Sequence, residues 1–136
     1  MNIIQKTSII ICSTSLILTS LVSCQDDRFK QGKVLYDFHC ASCHMDDGTG
    51  LAEIYPPLNG ADYLANNKQD LPHIIRYGIE GTLQVNGAEF DIPMSGIPEL
   101  SAVEISNITN YVLSAWNNDL GTLSFEDVMI SLETTD

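Results

Sequence analysis

Two cysteines and a histidine stand close together in the string Cys40-Ala41-Ser42-Cys43-His44. Two intervening residues let both thiols reach the two vinyl groups on one edge of a porphyrin, and the next residue then lies beneath the iron as its proximal ligand. The spacing therefore predicts covalent attachment of one haem c through Cys40 and Cys43, with His44 as an iron ligand.

Two other kinds of site use the same spacing of thiols. A redox-active Cys-x-x-Cys pair is typical of a βαβ surround and needs no histidine, whereas the residues around this string favour helix and loop. A structural zinc site needs four ligands, usually from two such pairs. The other cysteines, Cys12 and Cys24, lie within and at the end of an N-terminal apolar stretch and provide no second pair. Haem attachment is therefore the better interpretation.

The N-terminal apolar stretch predicts a targeting segment. It runs from Ser8 to Val22, is interrupted by serine and threonine, and is shorter than the roughly 20 apolar residues of a membrane-spanning helix. Leu21-Val22-Ser23-Cys24 is similar to a bacterial lipobox. Residues 1–23 would then be a lipoprotein signal peptide, Cys24 the lipidated first residue, and 24–28 a tether. An uncleaved anchor helix is the alternative, and both interpretations predict an exported, membrane-anchored protein on the periplasmic side.

The chain is strongly acidic. It has 18 aspartate and glutamate residues against six lysine and arginine residues, and its net charge of −12 becomes −13 once Lys6 is removed with the signal peptide. Such a charge disfavours binding to nucleic acid and would attract a partner with a basic face. Solubility is an alternative explanation of the same surplus.

The length after the predicted cut suffices for one domain. We expect this domain to span 29–117 and to be followed by an acidic C-terminal extension, 118–136. Phe29 to Phe38 is amphipathic and predicts a helix that leads into the cysteine pair. Gly32 within this helix indicates a close crossing with another helix, or else a helix that begins only at Lys33.

Further local signals follow along the chain. Asp70, Pro72 and Gly78 delimit a short helix, and the alternating residues from Leu83 to Phe90 around Asn86-Gly87 predict a β-hairpin. A capping box at Ser101 and Glu104 and an end at Asn117-Asn118 predict the last helix of the domain. An apolar pattern from Ser124 to Leu132 predicts a short extra helix.

Together these features resemble the class I monohaem c-type cytochromes, over about Arg28 to Trp116. The shared pattern comprises the attachment string, Gly32 and Tyr36 before it, Tyr111 in the last helix, and the stretch Pro56-Pro57-Leu58-Asn59-Gly60. The resemblance implies an all-α, cytochrome c-like domain wrapped around one covalently bound haem, with a small hairpin before the loop that carries the axial methionine. It also implies that the first and last helices cross at the glycine and an aromatic residue.

The resemblance implies a methionine as the sixth iron ligand, in a loop before the last helix. Met94 lies in that position, between Pro93 and Pro98, although Ser95 follows it where many family members have a proline. A neutral thioether binds iron without losing a proton and raises the reduction potential. The alternatives are His73 as sixth ligand or an open coordination site.

A histidine that binds a metal usually donates its other ring N–H to a carbonyl oxygen. The spacing of Leu58 and Gly60 in the proline-containing stretch suggests Pro56 as the residue that offers this oxygen to His44, with Pro57 as the alternative.

The function implied by the resemblance is a periplasmic respiratory electron carrier that is not itself an enzyme. Filled axial positions leave no site for a substrate, and the sequence shows no separate acid, base or nucleophile constellation. We expect a monomer whose partners are the membrane, through the lipid anchor, and a redox protein with a basic docking face. The alternatives are a haem-binding subunit of a reductase or oxidase complex, and a haem sensor or peroxidase-like protein with an open distal site.

Overall fold

The computed structural model describes residues 29–134. The predicted signal peptide 1–23, the predicted lipidation site Cys24 and the tether 24–28 lie outside the described residues. Within the described part, six helices and four short strands follow one another: α1 Lys30–His39, α2 Ala41–His44, α3 Asp62–Asn66, α4 Leu71–Tyr77, β1 Gly78–Ile79, β2 Leu83–Val85, β3 Ala88–Phe90, β4 Met94–Ser95, α5 Ala102–Ser114 and α6 Phe125–Glu133. The predicted helical fold class, with a small hairpin, is confirmed.

Helices α1 and α5 cross at Gly32. A Cβ atom on Gly32 would overlap the backbone oxygen of Asn107 and lie 2.7 Å from Cβ of Tyr111, so only glycine permits this approach. Tyr36, one turn further along α1, is completely buried and packs on the Tyr111 ring with centroids 5.4 Å apart. The predicted crossing is confirmed, and the alternative of a late helix start is wrong because α1 begins at Lys30.

The predicted hairpin is present as β2 and β3. Asn86 and Gly87 have φ angles of 53° and 79°, as the turn between two closely paired strands requires. The Asp62 side chain accepts from the Asn86 N–H at 2.7 Å, and the Asn86 side chain accepts from the Asp62 N–H at 3.0 Å. These two hydrogen bonds join the hairpin to α3. Helix α3 was not predicted from the sequence; it has no side-chain cap and buries Leu64.

Both predicted C-terminal helices begin with a capping box. Ser101 and Glu104 cap α5, and Ser124 and Asp127 cap α6, so the predicted extra helix is confirmed. The predicted end of α5 at Asn117-Asn118 is wrong by three residues. The helix ends at Ser114 because the next residue has an extended backbone and Trp116 has a φ of 55°.

Helix α6 packs against both α4 and α5. Its Val128 is completely buried and joins a single core of buried side chains. The members of this core are Tyr36, Ala61, Leu64, Leu71, Ile75, Val85, Phe90, Leu100, Ile105, Ile108, Val112, Leu113, Leu123 and Val128. Among residues 29–134, no helix combines the length and the apolar character that crossing a bilayer requires.

Candidate functional site

Helix α2 is a single turn that brings the two thiols and the imidazole together. The N–H of Cys40 donates to the Tyr36 carbonyl at the end of α1, and the N–H of His44 donates to the Cys40 carbonyl at 2.9 Å. Neither Cys40 nor Cys43 forms a disulfide. Burial, with a smaller contribution from the Cys43 thiol, raises the pKa of Cys40 to about 12, so its thiol is protonated at neutral pH.

The His44 ring is buried, with 9% of the residue exposed. Its Nδ1 lies 3.0 Å from the carbonyl oxygen of Pro56, not of Pro57. A carbonyl only accepts hydrogen bonds, so Nδ1 carries the proton and Nε2 presents a lone pair. Burial lowers the pKa of His44, an effect that the Pro56 hydrogen bond opposes more weakly. The imidazole is therefore neutral at neutral pH, which is the form that binds a metal.

The residues that directly follow His44 are anchored by an aromatic cluster. The Tyr36 hydroxyl donates to the Met45 carbonyl at 2.7 Å, and Trp116 Nε1 donates to the Asp46 carbonyl at 3.1 Å. The rings of Tyr36 and Trp116 are in contact, with centroids 5.3 Å apart. The crossing of α1 and α5 therefore fixes the backbone at the end of the haem-attachment string.

Asn118 ties the segment after Pro56 to the end of α5. Its Nδ2 donates to the carbonyls of Leu58 and Val112, each at 2.9 Å, and its Oδ1 accepts from the Gly60 N–H at 2.8 Å. Sequence reasoning interpreted Asn118 only as a helix end. A buried asparagine needs several partners, but nothing in the sequence shows that two of them, Leu58 and Gly60, lie about 60 residues away.

Met94 lies in β4, a strand too short to be seen in the sequence. The pairing with β1 places Met94 opposite Ile79 and Ser95 opposite Gly78. Glycine is required at position 78, where φ is 85° and a Cβ atom would overlap the Met94 carbonyl oxygen. The backbone at Met94 is thus fixed by strand pairing, although Ser95 lacks the rigidity of proline.

His73, the alternative sixth ligand, lies beside the C-terminal extension, where its backbone N–H donates to Ser131 Oγ at 3.2 Å. Its ring packs on the ring of Tyr77, with centroids 4.6 Å apart, and the Tyr77 hydroxyl donates to the Leu132 carbonyl at 3.1 Å. The His73 Nδ1 is buried and has no hydrogen-bond partner among the described residues.

These residues fit a covalently bound haem. Two unpaired thiols on one turn can form thioether bonds, and a neutral buried imidazole with a free Nε2 can bind iron. Within 29–134, no group of three or more histidine, cysteine, aspartate and glutamate side chains is arranged to hold a metal ion on its own.

Comparison with known proteins places the chain among proteins with this chemistry. The sequence model of the family described as cytochrome c matches residues 29–116. Cytochrome c-552 of Thermus thermophilus is 32% identical over 83 residues, which are 58% of this chain and 63% of that protein.

Two dehydrogenase subunits are also similar to this chain. The cytochrome c subunit of a quinone alcohol dehydrogenase from Gluconobacter oxydans is 34% identical over 108 residues, 76% of this chain and 22% of that protein. The cytochrome subunit of a fructose dehydrogenase from Gluconobacter japonicus is 35% identical over 103 residues, 71% of this chain and 21% of that protein. The chain thus spans less than two thirds of each of these relatives.

Proposed function

Because this chain belongs to the cytochrome c family, we propose that it carries single electrons outside the cytoplasm, on the periplasmic side of a membrane to which it is anchored. The family binds haem c covalently, and Cys40 and Cys43 are positioned as its attachment motif. When bound, the haem supplies an iron centre that takes up and releases one electron at a time. The observation that carries the proposal is the buried His44 imidazole, whose bond to Pro56 leaves Nε2 to bind the iron.

The second axial ligand in this proposal is Met94. Its thioether needs no deprotonation, and the pairing of β4 with β1 supports it by holding the backbone of the ligand in place. His73 is the less suitable ligand because its ring is packed on Tyr77 beside α6. Two protein ligands leave no coordination site for a substrate, which favours electron transfer over catalysis.

The redox partner in this proposal presents a basic face to a monomeric cytochrome. Three exposed carboxylates, Asp46, Asp47 and Glu53, lie in the segment that directly follows the attachment string. Negative charge on the surface beside the haem-attachment turn would attract a positively charged partner and accelerate their encounter.

The second candidate function is that of an electron-transferring subunit of a dehydrogenase complex. It is favoured by the 34% identity to the cytochrome subunit from Gluconobacter oxydans, which extends over 76% of this chain. The carrier and the subunit use the same haem site and differ in how long the partner remains bound. Size-exclusion chromatography of detergent-solubilised native membranes distinguishes them. A carrier elutes alone as a small protein, whereas a subunit elutes with its dehydrogenase.

The function of the site is tested by absorption spectroscopy of the purified holoprotein. We expect haem that resists extraction by acidified organic solvent, a weak near-infrared methionine-to-iron band in the ferric form, and no spectral change when carbon monoxide is added to the ferrous form. In the His44→Ala variant we expect loss of stably bound haem and of folded protein. His39→Ala is the matched control, because it removes an imidazole directly beside the string that packs on the exposed Phe38 ring. A stable low-spin holoprotein from His44→Ala would contradict the proposal.

A further inference from the structure

Helix α6 lies beyond the part of the chain that the cytochrome c family model matches, which ends at residue 116. It is nevertheless an integral part of the fold. Its capping box at Ser124 and Asp127 starts the helix, and Val128 and Leu132 pack into or against the core. The segment that leads to it is held by Asn110, whose side chain binds both the N–H and the carbonyl of Leu123, at 2.8 and 3.1 Å.

Helix α6 holds both ends of α4. Asp70 precedes α4 but makes no side-chain cap, so the first N–H groups of this helix need other partners. Ser131 of α6 supplies one, because its Oγ accepts from the His73 N–H at 3.2 Å. At the other end, the Tyr77 hydroxyl donates to the Leu132 carbonyl at 3.1 Å. Ser131 is itself buried, with 9% exposed, so this contact is part of the packed interface.

Helix α4 in turn holds the backbone around Met94. It continues directly into β1, whose pairing with β4 includes Met94 itself. Beyond β4, the Ile97 N–H donates to the Ile75 carbonyl at 2.9 Å, and Arg76 Nη1 donates to the Pro98 carbonyl at 2.8 Å. Met94 and the segment that follows it are therefore bonded to one unit, formed by α4 and β1.

We infer that α6 is a positioning element for the sixth iron ligand, acting through α4 and β1 on Met94. This inference rests on the proposal above that Met94 binds the iron. Ser95, which directly follows Met94, does not restrict the backbone as a proline would, so rigidity of the ligand segment depends on what holds it from outside. Loosening α6 should let Met94 leave the iron more often without breaking the covalent attachment at Cys40 and Cys43.

Imidazole is the probe for this effect, because it competes with Met94 for ferric iron. Its apparent affinity rises in proportion to the fraction of molecules in which Met94 has left the iron. In the full-length holoprotein we expect Ser131→Ala, which removes one serine cap, to tighten imidazole binding about fivefold. Tyr77→Phe removes a single exposed hydrogen bond and should tighten binding about twofold. Binding is measured by absorption titration, together with the intensity of the methionine-to-iron band.

Ser101→Ala is the matched control, because it removes the same hydroxyl cap from α5, where Ser101 Oγ accepts from the Glu104 N–H at 3.3 Å. We expect a similar loss of global stability against guanidinium but unchanged imidazole binding. Equal tightening by Ser101→Ala and Ser131→Ala would mean that any loss of stability releases the ligand, and would overturn the inference. No tightening by Ser131→Ala would overturn it as well.

The Met94→Ala holoprotein separates failure of this inference from failure of the proposed ligand. If Met94 binds iron, Met94→Ala binds imidazole much more tightly than wild type, and adding Ser131→Ala to it changes nothing further. If wild type and Met94→Ala bind imidazole equally, Met94 is not the ligand and the proposed function loses its sixth ligand. If Met94→Ala has the expected effect but Ser131→Ala has none, only the role of α6 is wrong.

Discussion

At His44, one carbonyl oxygen determines which ring nitrogen is available to a metal. The Pro56 carbonyl can only accept, so the proton stays on Nδ1 and the lone pair stays on Nε2. The same bond fixes the orientation of the ring, because Pro56 lies in a segment tied to the end of α5 by Asn118. One buried asparagine outside the family match thus supports the histidine of the attachment string.

Met94→Ala separates covalent attachment of the haem from its sixth coordination. Covalent haem should remain, because attachment depends on Cys40 and Cys43, whereas the sixth ligand should be lost. We expect disappearance of the near-infrared methionine band, a lower midpoint potential, and new binding of carbon monoxide by the ferrous form. An unchanged spectrum would indicate that His73, and not Met94, is the sixth iron ligand.

Asn118→Ala should destabilise the holoprotein by about 2–3 kcal/mol, because it leaves the carbonyls of Leu58 and Val112 and the N–H of Gly60 without their partner in a largely buried site. The free energy of unfolding in guanidinium measures this. The neighbouring Asn117→Ala is the matched control, since Asn117 is exposed and should lose less than about 0.5 kcal/mol. Equal effects of the two variants would contradict the role of Asn118.

At the scale of elements, the crossing of α1 and α5 is the contact on which the attachment turn is built. Gly32 lets the two backbones approach, and the aromatic rings of Tyr36, Tyr111 and Trp116 fill the space beside them. Tyr36 and Trp116 each then hold one backbone carbonyl directly after His44. The packing of the two helices therefore sets where α2 ends.

Gly32→Ala tests this crossing. In an isolated helix the substitution stabilises by about 1 kcal/mol, but here the new methyl group would meet the backbone of Asn107, which cannot turn aside. We expect a net loss of about 1–3 kcal/mol in the free energy of unfolding. Val34→Ala on the exposed face of α1 is the control and should change it by less than about 0.5 kcal/mol. Stabilisation by Gly32→Ala would show that the helices do not cross at this residue.

For the whole molecule, the few cations offset little of the acidic surplus. Of the basic residues in 29–134, Lys33 pairs with Asp37 at 2.6 Å, while Lys68 donates to the Leu120 carbonyl and Arg76 to the Pro98 carbonyl. Among the exposed charged groups of the described residues carboxylates outnumber cations, including in the segment after the attachment string. The molecule should therefore present a negative field to an approaching partner.

Salt should slow electron transfer to a basic acceptor. The Debye length falls from about 30 Å at 0.01 M to about 10 Å at 0.1 M ionic strength, so attraction over the approach distance is lost. Stopped-flow rates over a salt series measure this dependence. The double variant Asp46→Asn/Glu53→Gln should weaken it, whereas Glu126→Gln/Glu133→Gln on α6 removes the same charge away from the attachment turn and should leave it nearly unchanged. A rate that is flat or rises with salt would mean that the docking face is not acidic.

Cys24→Ser tests the proposed anchor. Without a thiol to lipidate, holoprotein cut by another peptidase should appear in the soluble fraction with an unchanged haem spectrum. The tether 24–28 spans at most about five residues of roughly 3.5 Å each, which would keep the wild-type domain close to the bilayer. Variant protein that fractionates tightly with membranes would favour an uncleaved apolar anchor instead.

Local features of this protein were readable from the sequence because their causes are local. The thiol and imidazole spacing at residues 40–44, the Asn86-Gly87 turn, the capping box at Ser101 and the apolar pattern of the short helix after Ser124 each depend on neighbouring residues. The crossing at Gly32 was predicted as well, since a glycine inside an amphipathic helix needs a packing reason.

Long-range contacts were decided only by the tertiary structure. The sequence showed neither the pairing of Met94 with Ile79, nor the three bonds of Asn118, nor the contact of Ser131 with His73. Each joins groups whose separation in space is set by packing of several elements, so no local pattern of residue types specifies it. The sequence alone thus determined the chemistry that this protein brings to its cofactor, and the packing decided how the candidate ligands are held.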